Sequence, residues 1–543
     1  MGVSKGYDYV IVGGGSAGCV LANRLSEDDA ASVLLIEAGG RDLNPLIHVP
    51  LGMGKMHEYD MFNWGYSTEP EPNMHGRKVE AMRGKVLGGS SSINVMAYTR
   101  GHRGDYDRWA QKGARGWSYA DVLPYFKRCE RWEGGENRWR GGAGPVGTEF
   151  ARTADPLYDA WMQAALAAGF PVTDDYNGKQ QEGFGRGQYT IRDGYRSSAA
   201  SAYLKPARKR PNLEVATRAH ATRVLMQGMR ASGVEYRKGG RLVRVEAERE
   251  VILSAGAFNT PPLLMLSGIG PAAHLRDMGI EPMIDLPVGK NLQDHLAVII
   301  FFQRLNDSTF IKQMRFDRIA VSMIRAYLFG TGPGTVVPGG LHAFVKTRGE
   351  LAVPDIEFMF RGAAVDAHVW FPALRPASPD GFAIRPALLH PDSRGEIRLR
   401  SADPRDAMRI AYNFFSAPGD LPKLREGFRL ARDIAYRKPL DRFRGSETAP
   451  GPEIKSDADI DAYIRRTAVT AHHPAATCPM GIGPQAVIDA RMRVQGVERL
   501  RVVDASAMPD LVSAHLNAAV LMMAEKAADM IAGKPPLTAA LVG

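Results

Sequence analysis

At 543 residues the chain exceeds the length at which a single hydrophobic core stops growing, so two or more subdomains are expected. A composition of 45% hydrophobic and 24% charged residues, free of biased tracts, excludes a disordered or fibrous chain. The net charge of +10 invites nucleic acid, but the basic residues are dispersed and clusters such as LKPARKRPN (204–212) lack interleaved aromatics, so a solvated basic face is expected.

The opening MGVSKGYDYVIVGGG runs directly into a strand and lacks the apolar segment of a signal peptide. No run of 18 apolar residues follows, so no spanning helix and a cytoplasmic protein are expected. Residues 8–13 read as a buried strand, 16–27 as a helix by apolar spacing and 32–40 as a second buried strand, which together make a βαβ unit and predict a parallel sheet. From Thr222 to Ala255 the runs shorten, alternate and are separated by glycines, as in a β-meander. Between 306 and 450 strands such as DIEFMFRG and GEIRLRS are punctuated by Pro and Gly, and a final helix over 519–535 is closed by Gly533 and Pro535.

Residues 311–329 set Lys312, Arg315, Arg318 and Arg325 among Ile, Met, Phe and Leu. Such a stretch either packs one face on its own domain or docks on an anionic membrane surface. Three scattered cysteines make neither a disulfide framework nor a zinc site, so a reducing compartment and no metal are expected. Cys478 lies near two histidines, where buried packing is the expected role of its thiol and reactivity the alternative.

Gly13, Gly15 and Gly18 supply a G-x-G-x-x-G turn that also presents Ser16 and Ala17 at a helix start. In such a turn the first glycine permits the bend, the second lets backbone approach a pyrophosphate, and the third lets helix and strand pack closely. Glu37, at the end of the next strand, is placed to accept hydrogen bonds from ribose hydroxyls. The pattern alone does not separate NAD from FAD.

The stretches RGKVLGGSSSIN (83–94), REVILSAGAFNTPPLLMLSGIGP, VGKNLQDH, HHPAATCPMG and LRVVDASAMPDLVSAHLNAAV, in this order after the first glycine turn, are those of a known family. The chain resembles the glucose-methanol-choline (GMC) family of FAD-dependent oxidoreductases, in its choline-dehydrogenase-like bacterial branch. The resemblance implies an α/β protein, α+β overall. A Rossmann-like FAD-binding domain would comprise 1–155, 200–305 and 455–543, and a substrate-binding domain on an antiparallel sheet 156–199 and 306–454. It implies cofactor contacts at Ala38, Arg83, Val86, Gly88, Gly89, Ser90, Asn94, Val95, Val224, Asp504, Ala505, His515 and Asn517, beside those of the glycine turn and Glu37. Some relatives attach FAD through a histidine at the position of Ile93, so non-covalent FAD is expected here.

The same resemblance selects His473, not His472, as the imidazole on the reacting face, with His515 as its partner. Oxidising an alcohol requires a base for the hydroxyl proton while hydride leaves carbon, and imidazole titrates near working pH. His473 is therefore expected to be the base and His515 the alkoxide partner, with exchanged roles left open; His472 and His390 are candidates for the substrate pocket. Choline-handling relatives carry a carboxylate in the stretch matching VVPGGLHAFV (336–345), which has none here. An uncharged primary alcohol, aliphatic or aryl, is thus expected as substrate, with oxygen or a quinone as acceptor. Choline oxidation and a hydroxynitrile lyase reaction are the alternatives.

Overall fold

The computed structural model describes residues 6–306, 308–364 and 366–542, so the first five residues of the opening segment lie outside it. In chain order the elements that position the site begin with β1 (Gly6–Val12), α1 (Ser16–Leu25), β2 (Val33–Ile36) and α2 (Met53–Glu58). After β3 (Gly183–Arg186) come β4 (Leu213–Ala216), β5 (Ala219–Gln227), β6 (Arg230–Lys238) and β7 (Arg241–Leu253). The middle of the chain supplies β8 (Leu296–Ala297), β9 (Ile300–Arg304), α3 (Phe316–Phe329), β10 (Gly339–Val345), β11 (Ile356–Arg361) and β12 (Gly381–Leu388). The end supplies α4 (Asp420–Ala435), β13 (Arg444–Ala449), β14 (Val469–Thr470), β15 (Leu500–Val502) and α5 (Asn517–Ile531).

Two sheets organise these elements. The first runs β5-β6-β7-β1-β2-β4, with β15 on β7. Its centre is parallel: β1 pairs with β2 and β7 in register Val12↔Ile36 and Val12↔Leu253. The long β7 begins antiparallel to β6 and finishes parallel to β1 and β15, so the meander and the nucleotide fold share one strand. The fully buried YVIV and VLLI runs explain why β1 and β2 take the centre, where both faces are covered.

α5 packs beside α1 and is buried along almost its whole length, although it carries Glu525 and Asp529. Its charges are tolerated because Arg24 and Arg128 each reach Glu525 at 2.8 Å and Arg128 also holds Asp529. Removing one partner from such a buried network costs about 3–5 kcal/mol. Leu521, Met522 and Met523 contribute about 1.5–3 kcal/mol each by burial.

The second sheet runs β13-β9-β12-β11-β10-β3, antiparallel throughout, and β8 joins β12 to β14. Strands β8 and β9 therefore lie in this sheet, so the antiparallel layer takes in residues from Leu296, before the expected boundary at 305, and again at 469–470. The expected basic stretch is two helices, Thr309–Gln313 and α3, broken at Met314–Arg315.

Candidate active site

A cavity of about 610 Å³ lies between the two sheets and is lined from the glycine turn at one end to the histidines at the other. Its floor is made where two glycine stretches meet. Gly89 has φ +53° and a Cβ there would stand 2.8 Å from Gly15 Cα, so backbone meets backbone with no room for a side chain. A Cβ on Gly18 would stand 1.9 Å from the Gly13 carbonyl oxygen, which is why α1 can leave β1 so closely. The N-termini of α1 and α5 converge here, tied by Ser16 Oγ donating to Asn517 Oδ1 at 2.7 Å.

Glu37 ends β2 and accepts from Gly14 N and Gly39 N at 2.8 and 2.7 Å. Burial pushes its carboxyl up to about 7 against those two donors. Asp504 accepts from Gly256 N and Thr260 Oγ1 at 2.9 and 2.6 Å, fixing the turn that carries Ala505 to the cavity. A long ligand with an anionic centre and a ribose fits this cradle: small residues for close approach, two helix N-termini and a buried carboxylate.

The histidine end is assembled from six segments far apart in the chain. The pairing Leu296↔Thr470 of β8 with β14 brings Asp294 and His295 beside His473. Asp294 accepts from His473 N at 2.8 Å and from Tyr412 Oη at 2.6 Å, and its other contact, Thr470 Oγ1, holds the same turn. His295 Nδ1 meets His473 Nδ1 at 2.9 Å. On the far side, His342 of β10 and Glu357 of β11 are diagonal neighbours across the strand pair, since His342 stands opposite Met359. Glu357 Oε1 takes both His342 Nδ1 at 2.8 Å and His515 Nε2 at 3.0 Å. The rings of His473 and His515 close the chain, edge to face with centroids 4.8 Å apart.

His342, Glu357 and His515 are the ligand-type side chains that cluster tightly enough for a metal among the described residues. Both contacts to Glu357 have hydrogen-bond lengths, so the carboxylate orders two imidazoles through protons. Burial by itself would raise the Glu357 carboxyl, but His515 and His342 outweigh it and hold it well below the usual carboxylate range. Burial, with His515 and His295 adding repulsion, holds the His473 imidazole well below its ordinary value. His295 and His472 are pushed down to about 3, chiefly by burial.

Arg83 and Arg385 also line the cavity, and burial lowers both. Arg83 Nη2 donates to the His472 carbonyl at 2.5 Å and Arg385 Nη2 to the Thr470 carbonyl at 2.9 Å. Neither guanidinium forms an ion pair among the described residues; Asp294 acts on both and Glu357 on Arg385 only at longer range.

Most of the expected residues meet at this cavity. Gly13, Gly15, Ser16, Ala17, Glu37, Ala38, Arg83, Gly89, Ser90, Asn94, Val95, His472, His473, Asp504, Ala505, His515 and Asn517 all line it. Gly18, Val86, Gly88 and Val224 do not line it. Gly18 acts through packing, Gly88 N donates to the Gly14 carbonyl at 2.7 Å, and Val86 is buried with Ile47, Met56 and Ile93. Val224 is buried with its N–H on Ser267 Oγ, because β5 reaches the cavity with its first residues, Ala219, His220 and Ala221. His390 is also outside the wall, with Nε2 3.7 Å from Asp105. Cys478 is buried and burial raises its thiol, so it stays protonated packing.

Sequence reading did not single out Glu357, His342, Asp294 or Arg196. Arg196 is buried, pushed down to about 9 by that burial, and donates to the carbonyl and side chain of Asn94 at 2.7 and 2.8 Å. It thereby fixes the loop that carries Asn94 and Val95 into the cavity.

A nucleotide cradle joined to a pair of imidazoles beside an antiparallel sheet matches an FAD-dependent oxidoreductase acting on CH–OH groups. Family models described as GMC oxidoreductase match residues 7–297 and 391–524, and the chain belongs to this family. An oxygen-dependent choline dehydrogenase of Sinorhizobium fredii is 45% identical over 535 residues, 98% of this chain and 96% of that protein. One of Brucella ovis is 44% identical over 533 residues, again 98% and 96%. Among solved structures, pyridoxine 4-oxidase from Mesorbium loti superposes with a TM-score of 0.86 at 32% identity, over 96% of this chain and 98% of that one. A fungal aryl-alcohol oxidase does so with a TM-score of 0.82 at 27% identity, over 97% and 99%.

Proposed function

We propose that the protein oxidises an uncharged primary alcohol, aliphatic or aryl, to its aldehyde, with His473 as base and His515 as alkoxide partner. When bound, FAD supplies the two-electron acceptor for the hydride that leaves the carbinol carbon. The protein supplies the rest. His473 is held neutral by burial, so it can take the hydroxyl proton. Its Nε2 is bare when the Nδ1 proton is donated to His295 Nδ1, which makes His295 the residue that selects the tautomer. His515 donates Nε2–H to the Glu357 carboxylate; a ring already carrying a second proton, on Nδ1, would donate that one to the developing alkoxide, while the hydroxyl proton goes to His473.

The observation that carries the substrate class is the pair Arg83 and Arg385. Two buried guanidiniums without a carboxylate partner repel a quaternary ammonium, while Glu357 is engaged by two imidazoles. The names of the relatives at 44–45% identity favour a second reading, choline itself.

The test is an anaerobic titration of the yellow holoenzyme with straight-chain alkanols, benzyl alcohol and choline, followed by visible absorbance. Bleaching at low alkanol or aryl-alcohol concentrations, with choline weaker by at least an order of magnitude, is the expected outcome. Bleaching by choline at the lowest concentration would establish the second reading. Admitting air, and separately a soluble quinone, to the reduced enzyme then identifies the electron acceptor.

A further inference from the structure

The helix α3 shows apolar residues on two opposite sides. Ile319, Ser322 and Ala326, spaced i, i+3, i+7, face the protein and are buried. Val321, Ile324 and Leu328 repeat that spacing on the opposite side and are 66%, 60% and 58% exposed. Phe329 ends the helix 71% exposed. A helix that needed only one face against its own domain would carry polar residues at these positions. Arg318 and Arg325, seven residues apart and both exposed, share one flank of the outward stripe. Asp317, on the first turn of α3 in line with Val321, Ile324 and Leu328, is paired with Arg315 at 2.7 Å, so its charge is offset at the start of the stripe and the flank keeps its positive charge.

The apolar surface continues beyond the helix. Phe316 stacks on Phe371 with centroids 4.9 Å apart, and the turn from Phe371 to Arg375 exposes Leu374 to 86%. On the inner side of α3, Pro333–Thr335 packs against both that helix and Pro50–Gly52, the turn that leads directly into α2. His57, the residue before Glu58, lines the cavity. The outward apolar stripe, its arginine flank and the cavity wall are thus neighbours on one side of the molecule.

We propose that this side docks on an anionic lipid bilayer, with the α3 stripe and Leu374 in the acyl boundary and Arg318, Arg325 and Arg375 at the headgroups. Apolar burial and attraction to anionic lipid act together on such a helix, and neither alone holds it firmly. A second copy of the chain is the other occupant an apolar face can take, but the arginine flank would repel its own image across a twofold interface. Docking would place the cavity wall at α2 next to the bilayer, so that a lipophilic alcohol could reach it without crossing bulk water. The docking itself does not rest on the substrate class proposed above.

Sedimentation of the holoenzyme with vesicles tests it, using phosphatidylcholine alone and phosphatidylcholine mixed with phosphatidylglycerol. Binding to the mixed vesicles, weakened by salt, is expected. The double variants Ile324→Ser/Leu328→Ser and Arg318→Glu/Arg325→Glu change only exposed side chains. Each should reduce vesicle affinity by about tenfold or more while the flavin spectrum and the turnover of a water-miscible alcohol stay as in the parent. No binding to either vesicle, equal binding to both lipids with no effect of the arginine reversals, or a dimer in solution that the serine variant dissociates would each overturn the proposal.

Discussion

His515 Nε2 lies 3.0 Å from Glu357 Oε1, and the same oxygen receives His342 Nδ1 at 2.8 Å. One carboxylate oxygen therefore holds both rings, of which His515 is the one proposed to meet the alcohol. In Glu357→Gln the carbonyl oxygen can still accept from both imidazoles, but the negative charge that strengthens both contacts is lost. Turnover should fall by roughly 10²-fold with FAD retained and KM changed little. His342→Asn should lose less, because Glu357 and His515 remain in place. Steady-state kinetics alongside the visible spectrum separate these outcomes, and near-parental turnover in Glu357→Gln would remove the carboxylate from the mechanism.

His473→Ala and His515→Ala should each lower turnover by roughly 10²–10⁴-fold, the usual range for loss of a positioned proton-transfer group, with the flavin still bound. His472→Ala should be milder, since what the structure fixes at His472 is its backbone: the carbonyl bonded to Arg83 and the N–H to Thr470 Oγ1. A His472 variant as damaged as His473→Ala would mean that the two roles are assigned to the wrong neighbour.

The depressed imidazoles link stability to pH. His295 stays neutral in the folded protein down to about 3. The unfolded chain takes up that proton below pH about 6.5, so folded stability falls as pH falls through this window. Each such histidine contributes up to about 1.4 kcal/mol per pH unit. Glu37 acts in the opposite sense: its carboxyl, raised to about 7, loses stabilisation as pH climbs from about 4.5 to 7. A difference measurement isolates the histidine. The stability of His295→Gln relative to the parent should improve steadily from pH 7 to pH 5 in urea unfolding of the holoenzyme. A pH-independent difference would show that His295 is not held neutral.

Gly89→Ala should fold yet lose FAD, because its Cβ would stand 2.8 Å from Gly15 Cα in the floor of the cradle and the residue has φ +53°. Ile93 offers no nucleophilic nitrogen, so acid precipitation of the parent should release all the yellow colour to the supernatant. Colour left in the pellet would mean a covalent link through another residue.

Arg385→Gln tests the electrostatic basis of substrate choice. Removing one cavity guanidinium should raise kcat/KM for choline relative to an uncharged alcohol by on the order of tenfold, the effect of about 1.4 kcal/mol. An unchanged ratio would show that shape, not charge, sets the preference.

What the sequence determined by itself is what is encoded locally. Gly13, Gly15 and Glu37 fall within one βαβ unit, so their spacing in that context pointed to one end of the cavity they line, and the family motifs pointed to His473 and His515, which line it as well. The buried runs YVIV and VLLI likewise announced the central parallel strands. Tertiary structure alone decided the other half of the site. Glu357 and His342 become neighbours only through the register of β10 on β11, and Asp294 and His295 reach His473 only because β8 pairs with β14. Antiparallel register is set by which faces a whole sheet buries, and a shift of one residue would turn each of these side chains to the other face. Val224 lies outside the cavity while Ala221 lines it because position along β5, fixed by its neighbours in the sheet, selects which end of the strand reaches the cavity.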